Sequence, residues 1–268
     1  MEQAKKILLD FIGEILNGDL NAIRKFDFKT LQNDRKYGCP DRNFDCDDTN
    51  IMRAVYTVLW GHVLPDLNME NMGWGKAYRG DTINTFHTMF GREIPERPGY
   101  FAGAEKYSPT DPFREKIRRF GKLCSCIGNY VVLPNRIAAG TTLNCYRGTN
   151  EWHDFFDRFL MNLHQALTQK MIPDPTLKQL IEVNDFCFRK FYGKEGFRCF
   201  TENLLLNGYC GCHGEPELVF HLNYHWMNEQ EPEQYFHDAE LYLDCAERII
   251  LNRADKICEQ LAIKLGKE

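Results

Sequence analysis

Hydrophobic side chains recur every three or four positions over long parts of the chain, which is the spacing of amphipathic helices. In residues 1–16 this pattern stops at Asn17-Gly18, where a helix is expected to end. Residues 235–261 keep the same spacing and predict a C-terminal helix on the order of 45 Å long. Shorter stripes predict further helices within residues 51–63, 152–167, 177–191 and 197–206. The chain is therefore expected to be mainly helical.

Polar and turn-forming residues indicate where elements begin and end. Asp47, Asp48 or Asn50 is expected to cap the second helix, because short polar side chains accept hydrogen bonds from free backbone N–H groups. A short helix is expected over residues 82–90. Residues 91–112 contain four prolines and are expected to form an irregular segment that wraps over the core.

Short runs of β-branched and aromatic residues predict a few strands. Residues 130–133 and 141–146, joined by a turn at 134–140, are expected to form a β-hairpin, and residues 218–222 a third strand. The predicted fold class is mainly α with a small β hairpin or sheet (α+β). The chain is expected to form one globular domain over residues 1–268, with the long helix at its C-terminal end.

The composition is that of an ordinary globular protein. The chain has 268 residues, 43% hydrophobic and 26% charged, with a formal net charge of -5, which excludes a disordered or fibrous chain. A general polyanion binder would be basic overall, so nucleic-acid contact is expected only through a local patch. The candidate patch is a basic helix over residues 113–122, where Arg114, Arg118 and Lys122 share one face. Such a row is more often only solvated surface.

Location follows from two features of the sequence. No run approaches the roughly 18 apolar residues that a membrane span requires, and the N-terminal stripe is interrupted by Asp10 and Glu14, unlike a signal peptide. The protein is therefore expected to be cytoplasmic and not to contact a membrane. The eleven cysteines are odd in number and scattered, which is typical of reduced thiols.

Two polar clusters combine residue types that hold anions. Arg79, Asp81 and Asn84 lie where a helix is predicted to begin, and its free N–H groups can bind phosphate, although a plain helix cap is the more common role. Asn144 and Arg147 end a predicted strand, where the planar guanidinium can hold a phosphate or carboxylate. An internal ion pair that pins the turn explains Arg147 equally well.

A third cluster lies on one predicted helix face. His153 and Asp157 are four residues apart, so they can bind a divalent metal together or act as a base and its orienting carboxylate. His164 lies on the order of 10 Å further along and cannot join them directly. Pairs of this kind also arise often by chance, and two ligands without partners are a weak signal of a metal site.

A fourth cluster combines thiols and imidazoles, the ligand types that suit zinc. Its members are Cys210, Cys212, His213, His221 and His225. The spacing in Cys-x-Cys-His is tighter than that of a standard zinc knuckle. A glycine-rich turn with incidental thiols is therefore the simpler interpretation.

Several short motifs follow one another in a defined order. They are Leu59-Trp60 with Leu64-Pro65, Gly80-Asp81-Thr82 with Asn84, Ile127-Gly128-Asn129, Asn144 with Arg147-Gly148, Asp157-Arg158, and Asn252-Arg253. Their order and spacing resemble one uncharacterised bacterial family, a domain of unknown function. The resemblance implies a single-domain intracellular protein and transfers no catalytic residues, because no activity of the family is known.

Two functions are consistent with these residues. In the first, the turns bearing Asp81, Asn129 and Arg147 meet near the helix that holds Asp157 and form a pocket for a phosphate-bearing small molecule or nucleotide. Its ligand-binding residues would be Arg79, Asn84, Asn129, Asn144 and Arg147, and its catalytic residues Asp157, Asp81 and His153, with a divalent metal as a possible cofactor. If the protein is an enzyme, it would be a hydrolase or transferase acting at phosphate or a glycosidic bond. In the second, the chain is a non-enzymatic binding or regulatory protein of a bacterial defence or toxin system, and its polar motifs are structural.

Overall fold

The computed structural model describes residues 1–31, 33–39, 46–85, 111–149, 155–169, 174–220 and 232–267. Within these ranges the fold is mainly helical, with one two-stranded antiparallel sheet and a long C-terminal helix. The predicted fold class is thus confirmed. Residues 86–110, which include most of the segment expected to wrap over the core, lie outside the described part.

The helices and strands are numbered in chain order. The helices are α1 (Glu2–Glu14), α2 (Asn50–Trp60), α3 (Asp111–Leu123), α4 (Leu143–Thr149), α5 (Phe156–Gln169), α6 (Pro175–Val183), α7 (Asp185–Phe188), α8 (Gly193–Asn203) and α9 (Pro232–Leu265). The strands are β1 (Tyr78–Thr82) and β2 (Tyr130–Pro134). Short 3-10 turns include Leu20–Lys25, Cys46–Asp48, Ile127–Asn129 and Asn207–Tyr209. Among the described helices, none is long and apolar enough to cross a membrane.

The first two helices pack against each other and supply much of the core. In α1, the hydrophobic stripe is buried, and the chain turns away at Asn17, which has a positive φ of 52°. The expected cap of α2 is corrected by the structure: Thr49 is the N-cap, and its side chain accepts a hydrogen bond from the Met52 N–H. Asp47 and Asp48 are instead buried in the preceding turn.

The sheet pairs strands from distant parts of the sequence. β2 forms as predicted, but its partner is β1, with Gly80 opposite Val132. Two expectations are therefore wrong: Asp81 and Thr82 belong to a strand and do not begin a helix, and residues 143–146 belong to α4 and not to a strand. The described residues 218–220 are not a strand either.

The C-terminal helix α9 is the central support of the fold. It has 34 residues, which corresponds to about 51 Å at 1.5 Å per residue, and it contacts α2, α3 and the turns at 20–25 and 127–129. Two basic residues of α3 pair with it, Lys116 with Asp244 at 2.8 Å and Arg119 with Glu247 at 2.8 Å. Part of the charge of the basic helix is thus paired with acidic residues of α9 at the surface, whereas Arg118 and Lys122 are exposed and do not pair with α9 in the described structure.

Candidate functional site

The free edge of β1 is where the motif residues meet. Backbone hydrogen bonds from Asn135 N–H to Ala77 O and from Ile83 N–H to Asn129 O, each 2.7 Å, set the register of the ladder. Hydrogen-bonding directions alternate along an antiparallel strand. The carbonyls of Gly80 and Thr82 therefore point away from β2, where a buried edge must find other donors.

Side chains of α4 cover this edge in place of a third strand. Asn144 Nδ2 donates to the Gly80 carbonyl at 3.4 Å, and Arg147 Nη2 donates to the Thr82 carbonyl at 2.7 Å. The two residues are three apart and so share one helix face, which matches alternate carbonyls of the strand. Side chains of the helix thus meet two of the three outward carbonyls of β1, and the third, that of Tyr78, accepts from the Gly73 N–H at 2.9 Å.

The guanidinium of Arg147 is fully buried and engaged from several sides. Besides Thr82, it donates from Nη1 to the Ile83 carbonyl at 2.9 Å, and it forms an ion pair with Asp81. Its charged group lies 5.5 Å from the ring centre of Phe156, the first residue of α5. Arg147 therefore forms an internal ion pair at the end of β1, which agrees with the second of the two roles expected from its sequence position.

Asn129 and Asn84 form the next part of the same network. The Asn129 side chain accepts from the Asn84 N–H at 2.9 Å and donates to the Asn84 and Cys124 carbonyls at 2.8 and 2.9 Å. Asn84 in turn donates to the Tyr209 hydroxyl at 2.9 Å. Burial raises the pKa of Tyr209 well above its usual range, so the hydroxyl stays protonated. Both asparagines are buried: the Asn129 amide binds backbone groups, and the Asn84 amide binds the side chains of Asn129 and Tyr209.

Arg253 of α9 binds the backbone on either side of Asn129. Its guanidinium donates to the carbonyls of Gly128, Tyr130, Leu204 and Leu205. The side chain is buried, and burial lowers its pKa to about 10, which still leaves it protonated at neutral pH. A buried cation held by backbone oxygens leaves a positive potential in its surroundings.

Arg79 lies apart from this network. Its Nε donates to the buried Asp48 carboxylate at 2.9 Å, and its guanidinium lies 5.0 Å from the ring centre of Trp74, which is 69% exposed. Gly80, between Arg79 and Asp81, lies against α2: a β-carbon there would come within 2.7 Å of the Tyr56 hydroxyl and closer still to the Asp47 carbonyl. The strand passes here only because residue 80 is a glycine.

Asp157 is buried near the start of α5 and binds backbone. Its carboxylate accepts from the Arg158 N–H at 2.8 Å and the Phe220 N–H at 3.4 Å. Burial raises its pKa to about 6, against the opposing effect of these hydrogen bonds. His153 lies outside the described residues. The ring centres of His164 and Phe197 lie 4.6 Å apart, and burial lowers the pKa of His164.

The cysteine and histidine cluster does not form a metal site in the described part of the chain. No three metal-binding side chains converge among the residues that the structure describes. Cys210 is half-buried, with its thiol 3.8 Å from the Leu206 carbonyl, whereas Cys212 and His213 are exposed. His221 and His225 lie outside the described residues, so a zinc site that uses them stays a prediction.

An open groove runs along α9, away from the buried network. It has a volume of about 610 Å³, which suits a small ligand, and lies between α9 and residues 205–219. We call it the α9 groove. Its helix wall carries Arg248, Asn252, Lys256 and Glu259, and Glu217 lies on the opposite wall.

The charges of the α9 groove are unevenly paired. Asp255, which also lines it, is bound by Arg24 at 3.1 Å. Arg248 and Lys256 are exposed, and neither has a carboxylate at ion-pair distance within the described ranges. With the buried charge of Arg253 behind them, Arg248 and Lys256 place positive charge on the helix wall, which also carries Glu259 and the Asn252 amide.

The structure places several of the residues predicted from the sequence in one buried region, where their contacts are made within the protein. Asp81 and Arg147 pair with each other beside Phe156 of α5, and Asn129 binds Asn84 and the Cys124 carbonyl. The α9 groove was missed, although Arg248, Asn252 and Lys256 recur at intervals of four and so share a helix face. That row was the available signal, but only the structure shows that a concave wall faces it.

Comparison with known proteins adds no relative: no protein-family model, curated protein or solved structure matches the chain. The resemblance to an uncharacterised bacterial family stays a prediction.

Proposed function

We propose that the protein is a cytoplasmic binding protein for a phosphate-bearing small molecule, a nucleotide, and that the α9 groove is its site. The observation that supports this most directly is the pair of exposed cations, Arg248 and Lys256, which face the groove without a carboxylate partner in the described structure. Cations placed in this way attract phosphate, and the Asn252 amide adds donors and acceptors between them.

The acidic residues of the groove favour a nucleotide over inorganic phosphate. Glu217 and Glu259 would repel a bare anion, but their carboxylates accept hydrogen bonds from sugar hydroxyls or base amino groups. Leu205, Val219 and Ile249 add apolar surface against which a base can lie. Together the lining offers complementary groups for each part of a nucleotide.

The proposal assigns binding and no reaction. Asp157, the main catalytic candidate from the sequence, is buried and holds two backbone N–H groups. These contacts favour a structural role for Asp157 and with it the non-enzymatic alternative.

Binding can be tested by isothermal titration with ATP, AMP and inorganic phosphate, beside thermal unfolding with the same ligands. ATP is expected to bind and to raise the melting temperature, because a ligand of the native state stabilises it by mass action. Lys256→Glu should abolish both effects. Lys122→Glu makes the same charge change on α3, outside the groove, and should change neither. Equal ATP binding by wild type and Lys256→Glu, or no binding by the wild type, would contradict the proposal.

A further inference from the structure

A second groove lies next to the α9 groove, further along the same helix. This second groove, about 240 Å³ in volume, is lined by Trp60, His62, Gln260 and Lys264, and it shares Leu205 with the first. We call it the His62 groove. The two together follow α9 from Arg248 to Lys264, which is about 24 Å at 1.5 Å per residue.

One row of polar side chains links the two grooves. Its members, spaced four residues apart, are Arg248, Asn252, Lys256, Gln260 and Lys264. Cations alternate with amides along the row. The row also turns by about 40° around the helix with each step of four residues. A ligand that follows it meets a positive charge about every 12 Å of axial rise and a hydrogen-bonding amide between successive charges.

The His62 groove also has excess positive charge. Lys264 Nζ lies 3.4 Å from His62 Nδ1, and Lys264 has no carboxylate at ion-pair distance among the described residues. Burial first, and then Lys264 and Lys190, lower the pKa of His62; burial and Lys5 lower that of Lys264. Glu202, the acid in the lining, is 3.8 Å from Arg198. The Lys264 ammonium therefore faces the His62 ring in this groove, and an anionic group would complement its charge.

We propose that the ligand of these two neighbouring grooves is a short single-stranded oligonucleotide whose backbone follows the row from Arg248 to Lys264. This proposal rests on the function proposed above and extends it from one phosphate group to several. Stacked nucleotides advance about 3.4 Å each along a strand, so a track of about 24 Å accommodates several of them. A mononucleotide would reach one groove only.

The alternation of amides and cations distinguishes this ligand from an acidic peptide. Asn252 and Gln260 offer both donors and acceptors, which suit base edges and sugar hydroxyls. Glu217 and Glu259 can accept hydrogen bonds from base amino groups, which the carboxylates of an acidic peptide cannot donate. Because the row consists of cations and amides, binding should depend on phosphate contacts, with steep salt dependence and little sequence preference.

The test is fluorescence anisotropy with a labelled oligouridylate of about ten nucleotides, with ATP affinity measured in parallel by titration. Oligouridylate is expected to bind the wild type at least about tenfold more tightly than ATP, because it makes more phosphate contacts. Lys264→Glu should weaken oligouridylate binding about tenfold and leave ATP affinity within about twofold, since Lys264 lies outside the α9 groove. Lys264→Gln, which removes the charge without reversing it, should show the same pattern more weakly. Lys122→Glu is the control, and circular dichroism verifies that each variant is folded.

The outcomes separate the two proposals. If ATP binds but oligouridylate binds no more tightly, or if Lys264→Glu and Lys264→Gln bind oligouridylate as the wild type does, the oligonucleotide proposal is overturned and the nucleotide site remains. If polyglutamate competes as well as oligouridylate, the ligand class is wrong. If neither ATP nor oligouridylate binds the wild type, the proposed function fails and this extension fails with it.

Discussion

Replacing Arg147 by methionine should destabilise the protein severely, because this residue holds the chain together where β1 ends. Methionine keeps much of the length of the side chain but offers no donor. The substitution removes the ion pair with Asp81 and the hydrogen bonds to the Thr82 and Ile83 carbonyls. Nothing else in the described structure donates to these two carbonyls.

The size of the effect follows from burial. The Arg147 side chain has no exposed surface and that of Asp81 is 21% exposed, so the pair is poorly screened by solvent. Removing one partner of a buried pair costs about 3 to 5 kcal/mol. Two carbonyls left without donors, at about 1 to 3 kcal/mol each, give a loss of the same order. We expect the free energy of unfolding to fall by about 4 kcal/mol.

Equilibrium urea unfolding, followed by circular dichroism, measures this loss. The double variant Arg147→Met with Asp81→Asn should lose less stability than the sum of the losses in the two single variants, because it leaves no unpaired carboxylate at position 81. Arg248→Met is the matched control: Arg248 is exposed and donates only a 3.5 Å contact to Cys245 in the described structure, so its loss should be within about 0.5 kcal/mol.

The two arginines also predict opposite effects on ligand binding. Arg248→Met should weaken ATP binding and keep stability. If instead Arg147→Met stays within about 1 kcal/mol of the wild type but loses ATP binding, Arg147 is an anion-binding residue, and both the structural role and the groove assignment are refuted.

Three further substitutions have defined outcomes. Asp157 has a pKa raised from 3.8 to about 6, so its ionisation opposes folding as the pH rises through this range, and below about pH 4 the penalty disappears. The free energy of unfolding should therefore fall less in Asp157→Asn than in the wild type from about pH 4 to about pH 8, by up to about 3 kcal/mol, as measured by urea unfolding at both pH values. An unchanged pH dependence in the variant would show that Asp157 is not the group responsible. Gly128→Ala should lower stability by about 3 kcal/mol, because the new β-carbon would collide with the Ile250 carbonyl and lie 2.9 Å from the Ala254 nitrogen; a wild-type melting temperature would contradict this contact. Thr49→Ala should cost about 1 kcal/mol through loss of the α2 cap, whereas Asn50→Ala, the cap expected from sequence, should cost less.

Helices were the predictable part of this fold because their stripes are local. α1 and α9 bury the faces that their sequence spacing indicated, and the turn after α1 occurs at Asn17-Gly18 as expected. Capping was less predictable: four neighbouring polar residues compete for the start of α2, and the choice of Thr49 depends on Asp47 and Asp48 being buried elsewhere. The sequence alone does not show that tertiary contacts bury Asp47 and Asp48.

The strands were predicted poorly because their pairing depends on tertiary contacts. β1 contains Gly80 and Asp81, which are weak strand formers. It is held extended by β2 on one edge and by Asn144 and Arg147 on the other. Those two residues occupy α4, in a segment whose β-branched and aromatic side chains resemble a strand. The two errors are linked, because residues 143–146, expected to be a strand of the hairpin, belong to the helix α4 that covers the edge of β1.

The buried network and the open groove are connected through the last motif. Arg253 faces inward and binds the Leu204 and Leu205 carbonyls, so it fixes one wall of the α9 groove to the helix that forms the other. Its neighbour Asn252 faces outward and is exposed in the groove. The same guanidinium also holds Gly128, next to Asn129. Under the proposed function, Arg253 would therefore be indispensable to binding through its buried contacts, because it sets the distance between the two walls that the ligand would span.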